Sequence, residues 1–377
     1  MNFDLPNSVK IVQRTARDFA LQAVAPLVAR MEETGKFPSR LVKQMAEVGL
    51  LGLVTPRKYG GSDLGFLART VAIQEISRVS AAAGISLQVH HMASAAMADW
   101  GSKEQKERYL PKFSSGEYFG TCAMTEPTGG SDMLGMATTA RPAGGGYALN
   151  GSKCFITNAH LAQAPVIIAK TGEGSRGLSA FIVERGTPGF SAGREEHKMG
   201  LRGADTGEYF FKNCRVSGRN LLGDEGEGMK VALKTISEVG RPGMAAIALG
   251  LLEAAFDEAV KFSKTRTLYG KPISNLQAIQ WHIADIMTDL DTARLVCYRA
   301  SWLKDQGRDC ATQMTMAKLY TTQAALRAGR KALEIHGGCG TMMDYPVQRL
   351  FRDAMVCISA GGTTEVGKIV ISRAALS

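Results

Sequence analysis

From Ser8 to about Ser115 the apolar residues recur three and four positions apart, as in VKQMAEVGLLGLV and FLARTVAIQEISRVS, with breaks at PRKYGGSDLG and WGSKEQ. That spacing places side chains on one face of a helix, and the glycine-rich breaks end one helix before the next. The first third is therefore predicted to be helical. From Gly120 to about Val216 the pattern becomes short runs closed by Gly, Asn and Asp: GTCAMTE, GYALNGSKCFITNA, PVIIAK, LSAFIVERG and GEYFFKNCRV. These read as strands of a β domain. Beyond GDEGEGMKV the helical period returns. In NLQAIQWHIADIMTDLDTARLVCYRASWLK, residues Leu276, Ile279, Ile283, Ile286, Leu290 and Cys297 approximate one apolar stripe, and long striped helices pack as a bundle. The predicted class is mainly α with a central β domain, divided as 1–118, 119–220 and 221–377. A Rossmann fold is excluded, because no G-x-G-x-x-G follows a predicted strand.

With 45% hydrophobic but only 7% aromatic residues, the chain has the makings of a large, Ala- and Leu-rich helical core rather than of a disordered protein. Its longest apolar run, GMAAIALGLLEAAF from Gly243, is broken by Glu253 and is shorter than the roughly 20 residues of a membrane span. The start, MNFDLPNSVKIVQ, lacks the basic, apolar, small-residue order of a secretion signal, so a cytoplasmic location is expected. Seven scattered cysteines with no CxxC pair imply reduced thiols and no metal. The net charge of +10 fits a polyanionic small ligand, an acidic protein partner or a merely basic surface. No nucleic-acid-binding signature accompanies it.

The β region holds AMTEPTGGSDMLG, Ala123 to Gly135, where two glycines open a run of backbone amides beside Thr125, Ser131 and Asp132. Such a loop suits ligands that need close backbone approach, and alone it is also a generic turn. It is followed in order by GSKCFITNA, HKMGLRGADTGEYFF, NLLGDEGEGMKVAL, RTLYGKPI and IHGGCGTMMDYPVQRLFRDA. With these six motifs the chain resembles the acyl-CoA dehydrogenase family over essentially its whole length. The resemblance implies an N-terminal helical domain, a β-barrel-like middle domain and a C-terminal four-helix bundle. It also implies a homotetramer, bound FAD, an acyl-CoA substrate and electron-transferring flavoprotein as the electron partner. Matched to the family, Met124, Thr125, Phe155, Ile156 and Thr157 hold the flavin ring, with Phe155 where the family more often has Trp. Arg266, Tyr269, Gln277, Glu334, Gly337 and Gly338 meet the pyrophosphate and adenine end of a neighbouring subunit's FAD, although Glu334 stands where Gln is common. Thr363 and Glu365 belong to the cofactor-side pattern of the last helix. Ser131, Gln88, Glu238, Arg241, Gly240 and Gly361 line the path of the thioester.

In ordinary members a glutamate removes the proton α to the thioester, within hydrogen-bond reach of that carbon. Most carry it just before the G-T-[ST] of the last helix. Here ISAGGTTEV puts Gly361 in that seat, and Gly240 in SEVGRPGM fills the second seat used by the isovaleryl-CoA branch. Glu238 is two residues away, about 200° round a helix. The pair His90–His91 in SLQVHHMASAAMADWG matches the helix flooring the acyl cavity, and His91 shares a face with Gln88 and Ala95. The candidates for a replacement base are thus His91, then His90, then Glu238. The same histidines also fit a core role, and the small residues around them fit close helix packing. The pattern resembles family members that form cyclic dienes from cyclohexene-carboxyl thioesters by 1,4-elimination, as in alicyclic acid degradation. The alternatives are ordinary α,β-dehydrogenation or enoyl-CoA reduction with a relocated base, decarboxylation or elimination, a carrier-protein-bound substrate, and a non-catalytic flavin- or CoA-binding protein.

Overall fold

The computed structural model describes residues 3–377. Six helices come first: α1 (Asn7–Phe19), α2 (Val28–Thr34), α3 (Arg40–Glu47), α4 (Gly65–Val79), α5 (Ala81–Trp100) and α6 (Lys103–Ser115). Their limits follow local chemistry. Ser102 caps α6 by accepting from the Gln105 N–H at 3.2 Å, and the Gln105 side chain returns the bond to the Ser102 N–H at 2.9 Å. This reciprocal pair satisfies two donors that the first turn leaves open. Gly116 then ends α6 at φ +74°, a conformation that costs glycine nothing.

The middle region is one sheet built from β1 (Cys122–Ala123), β2 (Thr139–Ala143), β3 (Gly146–Thr157), β4 (Val166–Lys170), β5 (Leu178–Ile182), β6 (Phe190–Glu195), β7 (Thr206–Ser217) and β8 (Leu221–Leu222). The strand order is β6-β7-β3-β2-β4-β5-β8, with β1 parallel to β4. The runs singled out in the sequence supply β1, β3, β4, β5 and β7. Strands β2, TARPA, and β6, FSAGRE, were not predicted, because most of their residues are exposed or half-exposed and show no apolar alternation.

The chain returns to helix with α7 (Gly228–Thr235), a π-turn (Ile236–Gly240) and α8 (Arg241–Thr265). A short hairpin of β9 (Thr267–Leu268) and β10 (Lys271–Pro272) leads to α9 (Gln277–Asp305), α10 (Ala311–His336), α11 (Pro346–Ser359) and α12 (Thr364–Leu376). Of the predicted α9 stripe, Ile286, Leu290 and Cys297 are buried, Ile279 and Ile283 are partly buried, and Leu276 lies before the helix and is exposed. All seven cysteines are free. Among the described residues no single helix is long and apolar enough to cross a membrane.

One apolar core joins the first and last helices: α4 packs on α1, α5, α8 and α9, and α8 on α10. Asp305, the last residue of α9, accepts from the Phe66 and Leu67 N–H groups at 2.6 and 2.9 Å. A carboxylate there meets both the open donors and the positive end of α4. The start of α8, beside α4 and α5, is the point on which the candidate site converges.

Candidate active site

Gly361 lies in the turn between α11 and α12 at φ +70°, followed by Gly362 at φ +105°. The turn is held from beneath by Lys318, whose Nζ donates to the carbonyls of Ile358 at 2.6 Å and Gly362 at 2.7 Å. Burial brings that ammonium down to about 8. Thr363 caps α12 through the Val366 N–H, and Glu365 is in the first turn. A Cβ on Gly361 would lie 2.9 Å from Met244 Cγ and 3.8 Å from the Gly240 carbonyl oxygen. A Cβ on Gly240 would meet Met92 Cε at 3.3 Å and Sδ at 3.6 Å. The two glycine seats are therefore neighbours across the start of α8.

Glu238 is two residues before Gly240, inside the π-turn, and its carboxylate pairs with Lys304 of α9. The fully buried carboxylates are engaged elsewhere. Glu75 pairs with Arg17, Glu126 with Lys153 and Asp205 with His160, while Asp353 accepts from the Leu201 N–H.

Both histidines of α5 are fully buried. His91 Nε2 donates to the Leu50 carbonyl at 2.9 Å, tying α5 to the segment after α3, and its Nδ1 has no partner. Burial first, then the charge of Arg69 and the neighbouring His90, hold the His91 ring well below the usual histidine range. His90 Nδ1 accepts from the Gly120 N–H at 3.1 Å, and the ring stacks on Phe119 with centroids 5.0 Å apart. Desolvation takes His90 down to about 3. Ala93 packs where a Cβ on Gly120 would come within 2.6 Å of it, so this small side chain allows α5 and the sheet to approach closely.

Sequence reasoning missed Arg69, which α4 places fully inside the protein. Its Nη2 donates to the Val239 carbonyl at 3.1 Å, whereas Nε and Nη1 are buried without partners. Gln88 Nε2 donates to the Gly240 carbonyl at 3.0 Å and its Oε1 is unpartnered. A charge inside the otherwise apolar FLARTVAI was the available signal. Arg241, also expected here, is buried and donates to Thr315 Oγ1 at 2.9 Å, and Ser131 is exposed on its loop.

The residues matched to the flavin fall into two groups. Phe155 sits at φ +57° in a bulged stretch of β3 and is 65% exposed, with Ile156 buried beside it. A large aromatic in a left-handed conformation facing outward is a strained arrangement that suits a ring-covering role. Thr157 accepts from Thr121, and Thr125 from the Cys154 N–H at 3.0 Å. Lys153 fastens the loop: its Nζ donates to Met124 O at 3.2 Å and Glu126 Oε1 at 2.7 Å, while Glu126 accepts from the Ala137 and Thr138 N–H groups. The second group gathers at one end of the helical bundle. Arg266 ends α8, Tyr269 is 94% exposed on the hairpin, Gln277 starts α9, and Gly337 and Gly338 follow α10. A Cβ on either glycine would meet nothing within 4 Å. Glu334 lies near His282 and Arg330.

Residues 7–117, 121–214 and 226–376 match the N-terminal, middle and C-terminal domains of acyl-CoA dehydrogenases. The chain is 43% identical to an acyl-CoA dehydrogenase of Bacillus subtilis (strain 168), covering 96% of each protein. It is 41% identical to acryloyl-CoA reductase (NADH) of Anaerotignum propionicum, covering 99% of this chain and 95% of the reductase. The solved butyryl-CoA dehydrogenase of Megasphaera elsdenii superposes with a TM-score of 0.98 at 35% identity, over the whole of both chains. The chain belongs to the acyl-CoA dehydrogenase family, with that family's three-domain fold. It is a flavoenzyme acting on CH–CH bonds, with FAD as its cofactor. These likenesses do not single out a cyclic acyl group.

Proposed function

We propose that the protein is an FAD-dependent oxidoreductase of CoA thioesters that works without a glutamate to remove the α proton. The observation that carries this reading is the facing pair Gly361 and Gly240, whose nearest neighbours are Met244, Met92 and backbone rather than an acid. When bound, FAD supplies the hydride acceptor, held by Met124, Thr125 and Phe155 to Thr157. The chain's own residues shape the acyl cavity. Gln88 and Arg69 brace the π-turn carbonyls, Lys318 fixes the Gly361–Gly362 turn, and Met92 and Met244 pack against the two glycines.

An unactivated α C–H is too weak an acid to ionise without a positioned base. The acyl group is therefore one that needs no proton taken from its α carbon, such as a cyclic or otherwise unsaturated thioester. His91 makes a poor base for a remote proton, because burial and the nearby Arg69 oppose the positive charge its ring would take on and one nitrogen is committed to Leu50. Glu238 is likewise held by Lys304. A homotetramer, a cytoplasmic location and electron-transferring flavoprotein as acceptor belong to the same proposal. The nearly bare Tyr269 and half-exposed Leu268 on the hairpin support contact with a neighbouring subunit.

The test is anaerobic mixing of FAD-loaded protein with cyclohex-1-ene-1-carboxyl-CoA and, separately, butyryl-CoA. Bleaching of the flavin by the unsaturated thioester alone, with a diene formed, is the expected result. Bleaching by butyryl-CoA would establish ordinary α,β-dehydrogenation, and silence with both would favour a different acyl group or a binding role.

A further inference from the structure

Arg69 is a buried cation with no anionic partner among the described residues. Its guanidinium is fully enclosed, and among the described residues its one hydrogen bond goes to the neutral Val239 carbonyl and no carboxylate lies within ion-pair distance. Phe66 offers a ring face at 5.8 Å, a weak partner for a full charge. Desolvation alone brings the group down to about 9. Buried charges are normally paired, and each buried N–H without an acceptor carries its own desolvation cost. One carbonyl does not answer for the donors of Nε and Nη1.

The position of this cation is specific. Val239 directly precedes Gly240, and a Cβ on Gly243 would come within 2.8 Å of Arg69 Nη2 and 2.2 Å of Gln88 Cγ. Gln88 Oε1 and His91 Nδ1 are also buried and unpartnered. The unsatisfied polar atoms of Arg69 and Gln88 thus lie beside Gly240 and Gly243 at the start of α8, where the acyl end of a thioester is expected.

We propose that Arg69 binds a carboxylate on the acyl group, so that the substrates are CoA monothioesters of dicarboxylic acids. The planar guanidinium matches a carboxylate through paired N–H···O bonds. The phosphates of CoA lie at the far end of the thioester and do not compete for this position. The inference rests on the reading that the glycine seats mark the acyl cavity, and it goes further by naming the chemistry of the acyl tail.

FAD-loaded enzyme is titrated anaerobically with glutaryl-CoA against pentanoyl-CoA, and adipyl-CoA against hexanoyl-CoA, following perturbation of the flavin spectrum. The expected result is tighter binding of each dicarboxylic thioester, by about tenfold or more, as for a hydrogen bond to a charged group. Arg69→Met is expected to abolish that preference and Arg69→Lys to keep part of it. Equal or weaker binding of the dicarboxylic thioesters by the unaltered protein overturns the proposal, whether or not Arg69→Met folds. A preference that survives in FAD-loaded Arg69→Met overturns it as well. Bleaching by pentanoyl-CoA or hexanoyl-CoA would sink the base-free reading while the affinity ratio still judges Arg69. No perturbation by any thioester would defeat both.

Discussion

Gly361 faces Gly240 so closely that a Cβ on the first would stand 3.8 Å from the carbonyl oxygen of the second. The two positions are unequal as hosts for a side chain. Gly361 has φ +70° and a Met244 carbon 2.9 Å from the added Cβ, whereas Gly240 has φ −65° and meets the flexible end of Met92 at 3.3 Å.

Gly240→Glu is accordingly expected to fold, to bind FAD, and to gain dehydrogenation of butyryl-CoA on the order of a hundredfold over the starting protein, the usual scale for a positioned base. Gly361→Glu is expected to lose about 1–3 kcal/mol of stability from the left-handed backbone and the contact with Met244. Thermal unfolding of the two variants, with butyryl-CoA-dependent bleaching of the flavin, checks both expectations.

His91→Ala should act on stability rather than on chemistry. Leaving the Leu50 carbonyl without its buried donor costs about 1–3 kcal/mol, while turnover per bound FAD stays unchanged. The pH dependence has a definite sign. His90 is held to about 3 against an ordinary 6.5, so below 6.5 the unfolded chain takes up a proton that the folded chain refuses. Stability present above 6.5 is then lost as pH falls toward 3, by up to about 1.4 kcal/mol per pH unit for one such group. His160 works the other way. Burial opposes its charge, but the Gly193 carbonyl and Asp205 outweigh it and the pKa is raised. Its contribution is complete below 6.5 and fades as pH rises through the folded value. Urea unfolding across pH should show His160→Asn flattening the alkaline side alone.

Lys153→Met tests what fastens the loop that begins at Met124. Lys153 and Glu126 are both buried and joined at 2.7 Å, and burial brings the lysine down to about 8. Removing the cation strands Glu126 in the interior, at a cost of about 3–5 kcal/mol. Because Lys153 also holds Met124 and Glu126 holds residues 137 and 138, FAD retention on gel filtration should fall together with the melting temperature.

Much of this arrangement was legible in the chain, because long-period patterns survive any tertiary context. The helical runs of α4, α5 and α9 and the short runs of β3, β4 and β7 come from spacing alone. Strand β6 was hidden, since its exposed FSAGRE needs only its partner β7 to become a strand. That residues 240 and 361 are glycines is a property of sequence and was visible. Their mutual approach depends on a π-turn, Ile236–Gly240, which no apolar period announces. The same turn undermines a helical-wheel argument about Glu238, whose direction is explained by Lys304 instead. His91 was legible as a residue of the helix α5 but not as the donor to Leu50, a partner 41 residues away. Arg69 was passed over because burial cannot be read from one charged letter inside an apolar run.

The measurement that bears most directly on the proposed lack of an α-proton base is hydrogen exchange at the α carbon. FAD-loaded protein is incubated with butyryl-CoA in deuterated buffer, binding is verified by the change in the flavin spectrum, and the recovered thioester is analysed by mass spectrometry. The account predicts no α-deuterium above the enzyme-free control, with incorporation appearing in Gly240→Glu. Deuterium entering the α position with the unaltered protein would show that a working base sits beside the two glycines, and would contradict it.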